Sequence, residues 1–246
     1  MIFASRLQVV LISILLVACV LGCKMGGAAT TSTNENTAAP QNPHRSASDK
    51  PLPNIAGKYN ITGKTLEGNP YRGTLEVLSR GDVYQFRWNS GGQYDGIGIP
   101  HGNVIAVAFA NGPNGKGCGV VDYIIESDGT LDGKWGYWGV NESGTERAVR
   151  TSGSGLIGEY DATGKNPDGR QYKASLTVEP AVDLFRFKWS NDTDGVGIKQ
   201  GNNVAVGIGG PRCGFVAYQV TANGTLDGVW GIYGQEKTGT ERAIKQ

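Results

Sequence analysis

The sequence predicts an all-β protein built from two tandem antiparallel meander units of about eight strands each. Two observations support this prediction. Apolar and polar residues alternate through most of the chain beyond residue 54, which is the pattern of strands with one buried face. The stretch GTLDGKWG at residues 129–136 also returns as GTLDGVWG at residues 224–231. Because an open meander leaves strand edges exposed, we expect each unit to close into an up-and-down β-barrel.

Residues 1–22 have the features of a bacterial export signal. Arg6 precedes an apolar run that is shorter than the roughly 20 residues of a membrane-spanning helix. The run contains LVAC and VLGC, which resemble the lipobox of bacterial lipoproteins, so Cys19 and Cys23 are the candidates for lipidation. The alternative is cleavage after the small residues 27–29 without lipidation. We therefore expect an exported lipoprotein, anchored in the outer membrane or at the cell surface.

Residues 23–53 are predicted to form a disordered tether between this anchor and the folded part. They contain many Ala, Thr, Ser, Asn and Pro residues and almost no large apolar side chains. A coil of about 30 residues spans roughly 30 Å, which is enough to hold a domain clear of a membrane. The whole chain has a net charge of +1 and no cluster of basic residues, so a nucleic-acid partner is not expected.

The folded part consists of two sequence repeats, residues 54–150 and residues 158–246, joined by a Gly- and Ser-rich linker at residues 151–157. The repeats match almost from end to end, with short deletions in the second one. We expect each repeat to form its own globular barrel. The clearest matches are GKYNITGK with GEYDATGK, VYQFRWN with LFRFKWS, DGIGI with DGVGI, CGVVDY with CGFVAY and GTERAV with GTERAI.

The alternation also predicts which side chains face the barrel interior. In the first repeat these are Leu75/Val77, Tyr84/Phe86/Trp88, Ile97/Ile99, Ile105/Val107/Phe109, Val121/Tyr123/Ile125 and Leu131/Trp135/Tyr137, with their counterparts in the second repeat. Gly96 and Gly98 would then face outward, where they either help the sheet to curve or allow another backbone to approach closely. The curvature role is favoured.

The repeated GTLDG stretch is predicted to be a structural joint rather than a binding site. Its first glycine completes a hairpin turn, and its leucine returns to the core. Gly133 and Gly228 are expected on the inward face, where a missing side chain makes room for a large neighbour. Trp135 and Trp230 follow on the same face.

The last strand of each repeat contains a Glu-Arg pair. Arg147 and Arg242 share a face with apolar residues, so we expect them to point inward and reach a core tryptophan, an arrangement that resembles the closed end of calycin barrels. Their alternative role is a polar group at a pocket floor. Glu146 and Glu241 would form solvated pairs. The predicted ligand pocket is lined by Trp88, Trp135, Arg147, Trp189, Trp230 and Arg242.

Cys118 and Cys213 occupy equivalent positions in the two repeats. They either remain free thiols or form a disulfide between the repeats in an oxidising compartment. Free thiols are favoured, because a disulfide requires two Cα atoms within about 7 Å of each other.

The sequence contains no recognisable catalytic, cofactor or metal site, and we do not expect an enzyme. His44 lies in the tether and His101 is matched by Gln200, so no histidine is duplicated. There is no motif of a serine hydrolase, a metalloprotease or a P-loop. Asp95 and Asp128 are carboxylates that a hydrolase could use, but nothing in the sequence fixes their separation.

A set of turn glycines and core aromatic residues in the second repeat points to a known group of proteins. These residues are GEYDATGKNPDGRQY at 158–172, Trp189, Asp194-Gly195-Val196-Gly197, Tyr218, Gly224-Thr225-Leu226-Asp227-Gly228 and Gly239-Thr240-Glu241. In these positions the repeat resembles exported bacterial repeats that are often labelled fibronectin-binding protein. The first repeat differs from them at residues 65–70, where it has TLEGNP. The resemblance implies adhesion to host matrix.

We expect a lipid-anchored cell-envelope protein that presents two β-barrel-like repeats as a binding or adhesion module. The partner would be a protein or glycan that contacts the outer strands and loops, and two copies would add avidity. The alternative is a carrier that resembles calycins, such as lipocalins and avidin, and holds a small apolar ligand in each barrel. A third hypothesis is a hydrolase of envelope carbohydrate.

Overall fold

A computed structural model of the protein describes residues 52–246, which form sixteen antiparallel strands arranged in two closed eight-stranded barrels. The prediction of an all-β protein with two barrels is therefore confirmed. The described residues include no helix long and apolar enough to cross a membrane. The predicted signal peptide, nearly all of the predicted tether, and Cys19, Cys23 and His44 lie outside the described residues.

The strands divide between a first barrel and a second barrel. The first barrel contains β1 (Gly57–Lys64), β2 (Pro70–Arg80), β3 (Val83–Asn89), β4 (Gln93–His101), β5 (Val104–Asn111), β14 (Cys213–Val220), β15 (Leu226–Ile232) and β16 (Gly239–Lys245). The second barrel contains β6 (Gly119–Ile125), β7 (Leu131–Tyr137), β8 (Gly144–Ser154), β9 (Ile157–Lys165), β10 (Gln171–Ala181), β11 (Leu184–Trp189), β12 (Asp194–Gln200) and β13 (Asn203–Ile208).

The barrels do not coincide with the sequence repeats. The second barrel is one continuous meander that is closed by pairing β13 with β6, and it is inserted between β5 and β14 of the first barrel. Each barrel therefore combines five strands of one repeat with three strands of the other. The expectation of one barrel per repeat is wrong because β5 pairs with β14, the counterpart of β6, as in the register Val107 to Val216.

The predicted linker at residues 151–157 is part of the wall of the second barrel. It forms the end of β8, a tight turn and the start of β9, with Gly153 opposite Gly158 and Ser154 opposite Ile157. Gly155 has a φ of 62°, a value that glycine adopts without strain. The Gly- and Ser-rich composition therefore marks a hairpin and not a joint between two domains.

Most of the predicted inward faces are confirmed, but strand β4 and its counterpart β12 are exceptions. Ile97 and Ile99 pack outside the first barrel, in a cluster with Ala205 and Val120 of the second barrel. Gly96 and Gly98 face inward, and a side chain on Gly98 would collide with the Phe86 ring. The prediction of outward glycines is wrong because both faces of this strand are buried, so alternation does not distinguish them.

The two barrels pack against each other through apolar side chains and are joined covalently. The interface includes Ala106 and Ala108 of β5 and Ala217 of β14. Cys118 and Cys213 form a disulfide with a Cα–Cα distance of 5.7 Å. The preference for free thiols is therefore wrong, because the strand exchange brings these two equivalent positions together at the start of β6 and β14.

One end of each barrel is closed by an apolar side chain from the segment before its β1-type strand. Ile55 is buried in the first barrel, and the Tyr59 hydroxyl donates a hydrogen bond to its carbonyl oxygen at 2.6 Å. Leu156 and Tyr160 repeat this contact in the second barrel at 2.9 Å. Ligand access to the barrel interior is therefore expected from the opposite end.

Candidate ligand pocket

The Glu-Arg pairs have the opposite orientation to the predicted one. Glu146 and Glu241 are buried, with 4% and 7% exposure, whereas Arg147 and Arg242 lie outside the barrels. Arg147 binds both carboxylate oxygens of Glu126 at 3.0 and 2.7 Å, and Arg242 Nη1 lies 2.6 Å from Asp227. The predicted inward arginines and solvated glutamates are therefore wrong, because each arginine pairs with a carboxylate on the outer surface instead of reaching a core tryptophan.

The physical reason is crowding inside the barrel. Large tyrosine and tryptophan rings fill the interior beside β8 and β16, so the inward positions of these strands carry Gly144, Ala148 and their counterparts around the glutamate. The larger apolar residues Val149 and Ile244 remain outside, with exposures of 48% and 52%. The face of each strand that carries the larger apolar residue is thus the solvent side.

Glu241 is the centre of a hydrogen-bonded group in the first barrel. Its Oε2 accepts a hydrogen bond from the Tyr71 hydroxyl at 2.8 Å, and its Oε1 accepts one from Trp88 Nε1 at 3.0 Å. The hydroxyl of Tyr218 also donates to Oε1. We call Tyr71, Trp88, Tyr218 and Glu241 the carboxylate cluster of the first barrel.

The second barrel contains the same group at equivalent positions. Glu146 accepts hydrogen bonds from Tyr172 at 2.8 Å, from Trp189 Nε1 at 3.0 Å and from the Tyr123 hydroxyl. These four residues form the carboxylate cluster of the second barrel. Each cluster takes two members from each sequence repeat, so neither repeat could assemble one with its own strands in this topology.

The repeated GTLDG stretch has a specific role in both clusters. A side chain on Gly228 would lie 2.6 Å from the Tyr218 ring, and one on Gly133 would lie 2.6 Å from the Tyr123 ring. These glycines therefore make room for the tyrosines that donate to the buried carboxylates. The prediction that these glycines face inward beside a large neighbour is confirmed, and the neighbours are Tyr123 and Tyr218.

The ionisable groups of the first cluster have shifted pKa values. Burial raises the pKa of Glu241, and hydrogen bonds from Tyr218, Trp88 and Tyr71 offset part of that effect. Burial and the nearby Glu241 carboxylate raise the pKa of Tyr71 and of Tyr218. Both tyrosines therefore remain protonated at neutral pH and act as hydrogen-bond donors.

A pocket of about 170 Å³ opens above the carboxylate cluster of the first barrel, at the end opposite Ile55. Half of its ten lining residues are aromatic: Tyr71, Trp88, Tyr94, Phe109 and Trp230. The remaining lining residues are Thr65, Ser90, Val216, Ile232 and Glu241. Thr65 belongs to the segment in which the first repeat differs from the second.

The structure confirms part of the predicted pocket. Trp88 and Trp230 line it, whereas Trp189 and Trp135 occupy the equivalent positions in the second barrel, and both arginines lie outside. The indole nitrogens of Trp230 and Trp135 are both buried without a hydrogen-bond partner. Sequence reasoning missed Tyr71, Tyr94 and Glu241, although Tyr71 and Glu241 each recur in the second repeat.

Other predicted or considered sites are not assembled. Asp95 is buried on the outer face of the first barrel and accepts hydrogen bonds from Gln85 and Trp138, whereas Asp128 is exposed in a turn of the second barrel and accepts one from the Thr130 amide. Within residues 52–246, no group of three or more His, Cys, Asp or Glu side chains is placed to hold a metal ion. The chain matches no established protein family, no curated protein and no solved structure.

Proposed function

We propose that this protein is an exported binding protein that holds one small ligand in the pocket of the first barrel. The observation that carries the proposal is the combination of five aromatic rings with a buried carboxylate around an open volume of about 170 Å³. A cavity of about 150 Å³ accommodates a benzene molecule, so the pocket matches one ring or one compact branched group.

The interior below the pocket favours a compact ligand over a long apolar one. Phe86 stacks on Trp88 with ring centroids 5.5 Å apart and on Tyr218 at 5.9 Å. These rings fill the middle of the barrel, and Ile55 occupies its far end. A calycin-like carrier with a deep apolar cavity is therefore less well supported than a shallow pocket that recognises one group.

The lipid anchor, the tether and the cell-surface location complete the proposal and come from the sequence alone. A tethered module would present the pocket to ligands outside the membrane. Adhesion to a macromolecular partner, which the resemblance to fibronectin-binding repeats implies, remains a second prediction for the same module.

The test is a ligand titration of the full chain, with binding detected by tryptophan fluorescence and by the shift in thermal unfolding. The panel contains neutral, cationic and anionic compounds of one-ring size. We expect saturable binding of at least one class, because Trp88 and Trp230 line the pocket. The control is Tyr94→Thr/Phe109→Ile, which copies the second barrel and should weaken that binding. Absence of binding across the panel, or binding that this variant leaves unchanged, would contradict the proposal.

A further inference from the structure

The pocket contains a buried carboxyl group that accepts three hydrogen bonds and has no cation of the described residues beside it. Glu241 is the one charged residue in the lining formed by residues 52–246. Its hydrogen-bond donors are two tyrosines and a tryptophan, and it takes part in no ion pair within the described part of the chain. A buried carboxylate is stabilised by a cation, so a positively charged ligand would supply what the pocket lacks.

The aromatic rings form walls that suit a cation. Phe109 meets Tyr94 edge to face at 6.0 Å and Trp230 edge to face at 6.5 Å, and Tyr71 meets Trp230 in the same manner at 6.5 Å. The planes of these neighbouring rings stand at steep angles to one another, 74°, 85° and 72°. A cation that lies against the face of a tryptophan, tyrosine or phenylalanine ring is attracted by the ring quadrupole.

The polar groups of the pocket distinguish between kinds of cation. A primary ammonium carries three N–H donors that need acceptors. Apart from Glu241, the side-chain acceptors of the lining are hydroxyl oxygens. Two of them belong to Thr65 and Ser90, which lie in the loops after β1 and β3. A fully methylated ammonium has no N–H donor, and its methyl groups favour contact with aromatic walls.

We propose that the pocket of the first barrel binds a trimethylammonium group, with Glu241 as its counter-ion and the aromatic rings as its walls. This inference rests on the proposed function, because it assigns a ligand class to the same pocket. The carboxylate of the second barrel does not provide an equal site, since Thr193 and Ile208 stand there in place of Tyr94 and Phe109.

The test compares choline with its uncharged isostere 3,3-dimethylbutan-1-ol by isothermal titration calorimetry on the full chain. We expect one choline per chain and roughly tenfold or greater weakening for the isostere, because it keeps the shape and lacks the charge. Equal affinity for the two compounds would overturn the ammonium assignment while leaving the pocket as a binding site. The ammonium assignment would also be overturned if choline did not bind and a compound of another class did. If no compound of any class binds, the proposed function fails as well.

Matched variants locate the site. Tyr94→Thr and Phe109→Ile copy residues that the second barrel already accommodates, and each should weaken choline binding roughly 2- to 30-fold. Glu241→Gln should remove the preference for choline over the isostere, whereas Glu146→Gln in the second barrel should leave choline binding unchanged. Circular dichroism shows whether each variant folds; if Glu241→Gln does not, the two wall variants still decide. Choline binding that survives both wall changes, or that Glu146→Gln also abolishes, would overturn the proposal.

Discussion

The two barrels have the same carboxylate cluster but differ in the residues around it. Glu241 and Glu146 accept hydrogen bonds from equivalent partners, two tyrosines and one tryptophan in each barrel. Around the open end, Tyr94, Phe109 and Ile232 of the first barrel are replaced by Thr193, Ile208 and Tyr137. The difference separates the cluster residues, which recur in both barrels, from Tyr94, Phe109 and Ile232, the lining residues that do not.

The disulfide connects the two barrels at equivalent points, so removing it is the strongest test of how far they depend on each other. Cys118 and Cys213 are 95 residues apart in sequence. Replacing both with serine should lower the free energy of unfolding by about 4 kcal/mol, because the unfolded chain gains the freedom of a long loop. Denaturant unfolding of the oxidised protein, the reduced protein and the double variant measures this loss. An unchanged midpoint would show that the crosslink does not stabilise the pair.

The carboxylate clusters should contribute equally to stability if they are structural. Glu146→Ala and Glu241→Ala each leave three buried donors without an acceptor, so each should cost about 3 kcal/mol or more. Tyr172→Phe and Tyr71→Phe remove one donor each and should cost about 1 kcal/mol. Chemical denaturation followed by tryptophan fluorescence compares the four variants. A loss well below that of the tyrosine variants at either glutamate would contradict the structural role.

Much of the fold can be predicted from the sequence, but the exchange of strands cannot. The stretches CGVVDY and CGFVAY begin β6 and β14 with nearly the same pattern, so β5 finds the same complementary surface on either strand. The pattern of alternation is identical for both pairings. A duplicated sequence therefore predicts that barrels form and leaves open which strands each barrel contains.

The candidate site could be predicted only in part, for a similar local reason. Alternation assigned the tryptophans to the interior correctly because their polar neighbours face solvent. It failed for Glu241, because a carboxylate is expected on the solvent face of a strand unless hydrogen-bond donors inside the barrel can satisfy it. The three donors to Glu241 come from β2, β3 and β14. The sequence of β16 alone does not reveal partners that lie so far away in the chain.

A second asymmetry lies at the interface of the barrels. Asp122 of β6 and Ala217 of β14 occupy equivalent positions in the two repeats, but only Asp122 is polar. Asp122 is fully buried, and neither of its carboxylate oxygens has a hydrogen-bond partner. Burial raises its pKa well above the ordinary value, and the nearby Asn203 amide and Lys134 offset only part of that effect. Asp122→Ala, which copies the sister position, should raise the free energy of unfolding by about 2 kcal/mol at neutral pH.

The stability gained by Asp122→Ala should depend on pH. The unfolded chain ionises Asp122 above a pH of about 3.9, whereas the folded protein keeps it protonated to higher pH. Wild-type stability therefore falls as pH rises through this window, by up to about 1.4 kcal/mol per pH unit. The advantage of Asp122→Ala should be smallest below a pH of about 4 and should grow toward neutrality. An advantage that is constant with pH would show that Asp122 is not a buried neutral carboxyl.

The smallest expected difference concerns two aromatic side chains that follow β7 and β15 and reach an aspartate of the other barrel. Trp138 Nε1 donates to Asp95 and the Tyr233 hydroxyl donates to Asp194, both at 2.6 Å. Asp95 is buried with 3% exposure, whereas Asp194 is exposed to solvent, which can replace a lost donor. Trp138→Phe should therefore cost about 1 kcal/mol and Tyr233→Phe at most about half of that. Thermal unfolding at neutral pH distinguishes the two variants, and equal losses would show that the two contacts are equivalent despite their different exposure.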